Sequence, residues 1–135
     1  ESVSEVGQEI RDIMQKHCGV FRFPDLLEDG VVKIKQTEEK VNNLSISDKS
    51  KIFNTARIEA LEIQNLIEVA VSSLLSADAR KESRGAHDRE DFTERNDKDW
   101  LKHTMWFKND DALKYKKVNL KPMTIDSVDP VKRTY

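Results

Sequence analysis

The sequence predicts a mainly α protein, an antiparallel three-helix bundle over residues 1–83 followed by an extended tail over 84–135 that carries a small β-hairpin at about 101–120. Three observations carry this. Apolar residues recur at three- and four-residue steps through the first half of the chain. Charged residues then take over abruptly at Arg80. Beyond Asp99 the apolar period changes from helical to two.

The first helix is drawn by Val3, Val6, Ile10, Ile13, Met14 and His17, with Glu5, Gln8, Glu9, Asp12 and Gln15 left for solvent. Gly19 is a natural stop just past that stripe. The connector Val20-Phe21-Arg22-Phe23-Pro24 holds two Phe in five residues, which suits a segment packed on the core; its Pro disfavours a helical Phe23. A second helix is expected from Asp25, whose carboxylate suits an N-cap. Leu27, Val31, Ile34, Val41 and Leu44 form its stripe, and Gly30 inside it implies a close neighbouring backbone.

After the polar connector 45–50, Asn54 or Thr55 caps a third helix expected to run to about Glu82. Ala60, Ile63, Ile67, Ala70, Leu74 and Ala77 make one face, with Leu61, Leu66 and Val69 on adjacent positions. A helix apolar on more than one side is expected to be covered on more than one side. It is therefore the central element of a spectrin-repeat-like arrangement.

The stretch from Arg80 to Asp99 shows no apolar periodicity and reads as extended or irregular chain. Leu101, His103, Met105 and Phe107 then alternate with Lys102, Thr104, Trp106 and Lys108 as in a strand. Asn109-Asp110-Asp111 makes a turn, and a second strand follows from Leu113 to Leu120 with Tyr115 and Val118 as its apolar members. An isolated hairpin is marginal in water, so this one needs a surface beneath it.

At 135 residues the chain suits one domain. With 36% charged and 37% hydrophobic residues, its apolar side chains suffice for a core only if concentrated in one region. A formal net charge of −2 with interleaved signs gives no broad basic field for nucleic acid or an anionic membrane. The single Cys18 excludes an internal disulfide and fits a reducing compartment. No apolar run approaches the roughly 18–20 residues that span a bilayer, so no direct membrane insertion is expected. The start lacks both a secretory pattern and an initiator Met, which fits a processed piece.

The densest polar cluster is Arg80 to Asp91. His87 beside Asp88, with Arg84 near, has the residue types of an acid/base group with an anion partner. It also reads as a helix exit: Arg80 and Lys81 suit the negative end of the dipole, and Gly85 suits a left-handed C′ position. The second reading is preferred, because this chain offers few convergent groups. His17, His87 and His103 lie far apart, with no zinc-like spacing, so no metal site is expected. Glycines at 7, 19, 30 and 85 cannot make a Gly-x-Gly-x-x-Gly phosphate loop.

Ordered blocks along the chain carry a resemblance. Met14-Gln15-Lys16-His17-Cys18-Gly19-Val20-Phe21-Arg22 comes first, then Glu59 to Leu66 behind Asn54-Thr55. Glu82-Ser83-Arg84-Gly85-Ala86-His87 and Leu101-Lys102-His103-Thr104 follow, and the chain ends Arg133-Thr134-Tyr135. Together they resemble the C-terminal domain of succinate dehydrogenase and fumarate reductase flavoprotein subunits, with the tail favouring succinate dehydrogenase over L-aspartate oxidase.

The resemblance implies a parent that oxidises succinate to fumarate with FAD and passes electrons through an iron–sulfur subunit to quinone. It places the flavin-binding and catalytic residues upstream, so no catalytic, cofactor-binding or metal-binding residue is assigned in this chain. Arg84, His87, Arg89, Asp91, His103 and Arg133 are instead the candidate interface to the flavin and capping domains of the same parent chain. The iron–sulfur subunit is a further candidate partner. The implied location is peripheral, on the cytoplasmic face of a bacterial inner membrane or the mitochondrial matrix side. From another class, an independent helical interaction module with a charged tail is the alternative.

Overall fold

A computed structural model describes residues 2–110 and 112–131. In order it holds α1 (Val3–His17), β1 (Phe21–Arg22), α2 (Pro24–Asn42), α3 (Thr55–Ala79), β2 (Asp88–Arg89), α4 (Asp97–Trp100), β3 (Lys102–Met105) and β4 (Lys114–Lys117). The architecture is mainly helical with two small two-stranded sheets.

Local chemistry sets the helix starts. Ser2 and Glu5 form a reciprocal capping box at α1, each side chain bonding the other's backbone N–H. α2 begins at Pro24, one residue before the expected Asp25; proline has no N–H to satisfy in a first turn, and Phe23 ahead of it is extended. Asn54 caps α3 by accepting from Arg57 N–H at 2.8 Å, while its amide donates to the Asp48 and Ser50 carbonyls. That one side chain thus starts the helix and fixes the connector before it.

The core is shared by α1, α2 and α3, every pair of which is in contact. Val6, Ile10 and Ile13 meet Leu27, Ile34 and Val41, and α3 adds Ile63, Ile67, Ala70, Val71, Leu74 and Ala77. Glu9 near the start of α1 accepts from Thr37 and Lys40 near the end of α2. His17 at the end of α1 donates Nδ1–H to the Leu26 carbonyl at 2.9 Å.

Gly30 is required by packing. A Cβ there would lie 2.5 Å from the His17 Cβ and 3.1 Å from Leu74 Cδ2, so the close neighbours are side chains rather than the expected backbone. Gly7 is tight in the same way, with Ile63 Cδ1 at 2.6 Å.

Three expectations are corrected. α3 ends at Ala79, not near Glu82, and Arg80 is extended. The stretch to Asp99, expected as extended or irregular chain, also holds regular structure: β2 pairs in parallel with β1, Phe21 beside Asp88 and Arg22 beside Arg89, and α4 is a short helical turn. Gly85 does not end the helix. It takes φ +59° in a tight turn closed by Arg84 and His87, which exchange backbone hydrogen bonds at 2.8 and 3.0 Å.

The hairpin is present but shorter than expected, with Lys102 opposite Lys117 and Met105 opposite Lys114. Its turn uses Asn109 at φ 65°; Asp111 lies outside the described residues. Trp106, placed on the polar side by alternation, is the aromatic that packs against the core, whereas His103 and Phe107 are exposed. β4 is exposed throughout, and Tyr115 meets Trp100 edge-on at 5.9 Å. Among the described residues no helix is long and apolar enough to cross a membrane.

Candidate interdomain interface

Beyond α3 the chain is organised by one carboxylate. Arg80, Glu82 and Arg84 alternate, so in extended chain their side chains share a face. Glu82 is fully buried. It accepts from Arg80 Nη1 at 2.5 Å, from Arg84 Nε and Nη2 at 2.8 and 3.0 Å, and from Asn96 N–H at 2.9 Å. Burial alone pushes the Glu82 carboxyl up, but the Arg84 guanidinium, the Asn96 N–H and Arg80 together hold it below the usual carboxylate range.

Each arginine reaches further. Arg80 donates to the Trp100 and Lys102 carbonyls at 3.0 and 2.5 Å and lies over the Trp100 ring. Arg84 pairs with Asp97 at 2.5 Å. Arg89, only 3% exposed, forks onto Asp91 with two 2.7 Å bonds. Its Nη1 donates to the Ala77 and Asp78 carbonyls at 3.2 and 2.8 Å, at the end of α3. The dipole end is thus met by a guanidinium from the next strand, whereas the Arg80 side chain turns to Glu82, a partition that helix-exit composition does not reveal. Ser83 stitches the loop, accepting from Arg89 N–H and donating to the Phe92 carbonyl, both at 2.8 Å.

His87 is half-buried between two fixed partners. Its Nε2 contacts the Arg80 carbonyl at 3.0 Å, and its Nδ1 meets Arg22 Nη1. A carbonyl only accepts and a guanidinium only donates, so the ring is neutral with its proton on Nε2. Burial, with Arg22, Arg89 and Arg80 nearby, pushes the imidazole below its ordinary range. No carboxylate orients His87 and no nucleophile bonds to it among the described residues. It is therefore placed as a brace between β1 and the end of α3.

Of the predicted residues, Arg84, His87, Arg89 and Asp91 gather in this network. His103, the exposed member of half-buried β3 and opposite Lys116, takes no part in these hydrogen bonds. Arg133 falls outside the described residues. Sequence reasoning missed Glu82 as the hub, although the Arg-x-Glu-x-Arg alternation signals it. It also missed Arg22 and Asn96, whose roles depend on pairings 65 and 14 residues away.

Beside the network lies an open cleft of about 480 Å³ between α3, the His87 turn and β3, lined by Arg22, Arg84, His87, Lys102 and His103 among others. Several large apolar side chains around the molecule are also bare, among them Phe53 at 97% exposure, Phe21, and Leu61 and Val69 on α3. The second apolar side of α3 is thus open rather than covered.

Fold and site together define a mainly helical domain closed by an arginine–carboxylate network. The family model described as fumarate reductase flavoprotein C-term matches residues 7–135. The chain belongs to this family, the C-terminal domain of succinate dehydrogenase and fumarate reductase flavoprotein subunits. It is 41% identical to the succinate dehydrogenase flavoprotein subunit of Coxiella burnetii, over 98% of this chain and 22% of that protein. The fumarate reductase flavoprotein subunit of Haemophilus influenzae is 38% identical, over 100% and 22%. A solved Escherichia coli quinol fumarate reductase chain superposes with TM-score 0.83 at 35% identity, covering 96% of this chain and 23% of that one. The chain therefore spans under a quarter of the length of these relatives.

Proposed function

We propose that this chain is the structural and docking domain of a succinate dehydrogenase flavoprotein subunit. The parent oxidises succinate to fumarate with FAD and passes electrons through an iron–sulfur subunit to quinone. The observation that carries the reading is the match of nearly the whole chain to one region of such subunits, in a domain whose polar groups mostly bond one another. The tail favours succinate dehydrogenase over fumarate reductase. The finer architecture belongs to the same reading: an antiparallel, spectrin-repeat-like three-helix bundle over 1–83, with the tail over 84–135 in the same domain. Glu9 meeting Lys40 and His17 meeting Leu26 support the antiparallel course.

FAD belongs to the rest of the parent. The glycines serve packing and turning: Gly7 and Gly30 face Ile63 and His17 side chains, and Gly85 takes a positive φ in a tight turn. Arg84, His87, Arg89, Asp91, His103 and Arg133 are proposed to face the flavin and capping domains, with the iron–sulfur subunit a further partner. The assembly is then peripheral, on the cytoplasmic face of a bacterial inner membrane or the matrix side in mitochondria.

The test is complementation. Co-expressing the chain with the Coxiella burnetii relative truncated before the matching region should restore succinate-dependent dye reduction. The chain alone should carry neither flavin absorbance nor that activity. Restoration failing with a folded, FAD-loaded truncated partner, or activity in the chain alone, refutes the proposal.

One observation favours a second reading, an independent interaction module: Arg84 to Leu101 satisfies its polar groups from within the chain. Amide exchange discriminates. Protection there equal to that of α3 in the isolated chain supports the module, and rapid exchange supports an interface that needs the parent.

A further inference from the structure

The cleft beside the network is charged in one sense. Arg22, Arg80, Arg84 and Lys102 all line it, and among the described residues no Asp or Glu does. Arg80 and Arg84 are neutralised by Glu82 and Asp97. Arg22 is not: its bonds go to the Gly19 carbonyl at 3.3 Å and to the neutral His87 ring, and among the described residues it has no carboxylate partner. Lys102 has none either. Its ammonium rests between the Trp100 and Tyr115 rings, 4.7 and 4.2 Å from their centroids, a placement that holds a cation without cancelling it.

The hairpin compounds this excess. Lys102 stands directly opposite Lys117, and His103 opposite Lys116. Like charges at directly opposed positions disfavour strand pairing. Neither Lys116 nor Lys117 has an ion pair among the described residues. Ser73 and Ser76 on α3 line the same cleft and add hydroxyl donors.

The wall of the cleft is held in place by hydrogen bonds. Arg22 holds His87, His87 holds the Arg80 carbonyl, and Arg80 holds the Lys102 carbonyl and the Thr104 hydroxyl at 3.3 Å. The Arg22 guanidinium therefore cannot relax toward a distant carboxylate without breaking that chain, and the Lys102 ammonium is kept at the rim by the two rings.

We propose that this cleft is a seat for an acidic polypeptide segment, with Arg22 and Lys102 receiving its carboxylates and Lys116 and Lys117 drawing it in. The cleft is open enough to admit side chains from a passing strand or loop, which favours a polypeptide over a small enclosed anion. The inference rests on the docking reading above and names the chemistry of the surface that docks: an Asp- or Glu-bearing segment from the part of the subunit this chain does not contain. Complementary charge of this kind fixes register and speeds encounter.

Fluorescence polarisation on the 135-residue chain tests it, with a fluorescein-labelled peptide of alternating Glu and Gly as probe. The peptide should bind, and binding should weaken about fivefold as salt rises from roughly 50 to 200 mM, because exposed charges are screened. Arg22→Gln with Lys102→Gln should weaken it about tenfold or more, as expected for removing two complementary charges. Lys51→Gln, in the distant connector, should stay within about twofold. Should the double change disturb the fold by circular dichroism, Lys102→Gln alone decides, since its contacts are ring faces, and a loss of about threefold is expected.

Equal losses in Lys51→Gln and Lys102→Gln overturn the proposal, because binding then follows net charge. So does displacement of the peptide by acetate at equal carboxylate concentration, which marks a small-anion site. Capture of anionic phosphatidylserine vesicles without peptide binding overturns it in favour of a membrane. If complementation succeeds and is untouched by Arg22→Gln with Lys102→Gln, the seat is refuted while the docking reading stands.

Discussion

Replacing Glu82 by Ala tests whether the end of α3 is organised as described. Four N–H donors converge on a carboxylate with no exposure, three of them from two guanidinium groups. Removing one partner of a buried ion pair costs about 3–5 kcal/mol, because the remaining charges lose their counterion in a poorly hydrated place. The Arg80 and Arg84 side chains are 15% and 26% exposed, so water recovers part of that loss. The expected cost is therefore at the low end, about 3 kcal/mol, or about 9 °C in Tm for a chain of this length. Glu82→Gln keeps an acceptor for the Asn96 N–H and should lose about half as much. Urea melts followed by far-UV circular dichroism give the magnitude. Amide exchange gives the location, with Arg84 to Leu101 losing protection before the cores of α1 and α2. A loss under about 1 kcal/mol for Glu82→Ala, or uniform loosening of all helices, refutes the hub.

Other outcomes follow from the same geometry. Gly30→Ala should destabilise by about 2 kcal/mol or more in thermal melts, since its Cβ would overlap the His17 Cβ. Ile67→Ala should cost about 3 kcal/mol, whereas Leu66→Ala, at a half-buried position, should cost clearly less; equal losses in urea refute that burial assignment. The His87 pKa is lowered on folding, so the unfolded chain binds more protons and stability must fall as pH drops through the ordinary imidazole range; His87→Gln should flatten that slope between pH 7.5 and 5.5, values of about that range. Glu9, Asp91 and Asp97 are likewise lowered, chiefly by hydrogen bonds from Lys40, Arg89 and Arg84 respectively, and Glu82 is lowered because, against the upward push of burial, Arg84, the Asn96 N–H and Arg80 together outweigh it. Their stabilisation is present above the ordinary carboxylate range and is lost as pH falls below it, which acid melts will show.

The long helices were legible because their signals are local. Val6, Ile10 and Ile13 declare one face by spacing, and Asn54 declares a start by its chemistry. The end of α3 was not, because what ends it is Arg89, which lies about ten residues on and returns to the Ala77 and Asp78 carbonyls. The β1–β2 pairing was hidden for the same reason: two-residue strands have no period, and Phe21 and Asp88 meet only in three dimensions. Trp106 was misplaced because alternation ranks residues by face but does not say which face finds a core. At the site, the candidate residues Arg84, His87, Arg89 and Asp91 were named from composition and resemblance. Their actual partners, Glu82 for Arg84, Arg22 for His87 and the end of α3 for Arg89, needed the fold.

The meeting of Arg22 with His87, beside the pairing of β1 with β2, closes a non-covalent ring around α2, the 43–54 connector and α3. Within such a ring the connector is a loop whose ends are already held. Lengthening it costs only loop-closure entropy, about 0.6 kcal/mol for each doubling. Its exposed residues 47–53 are therefore the place where this domain can absorb an insertion, while a change that parts Arg22 from His87 opens the ring but leaves α2 and α3 joined through their shared core.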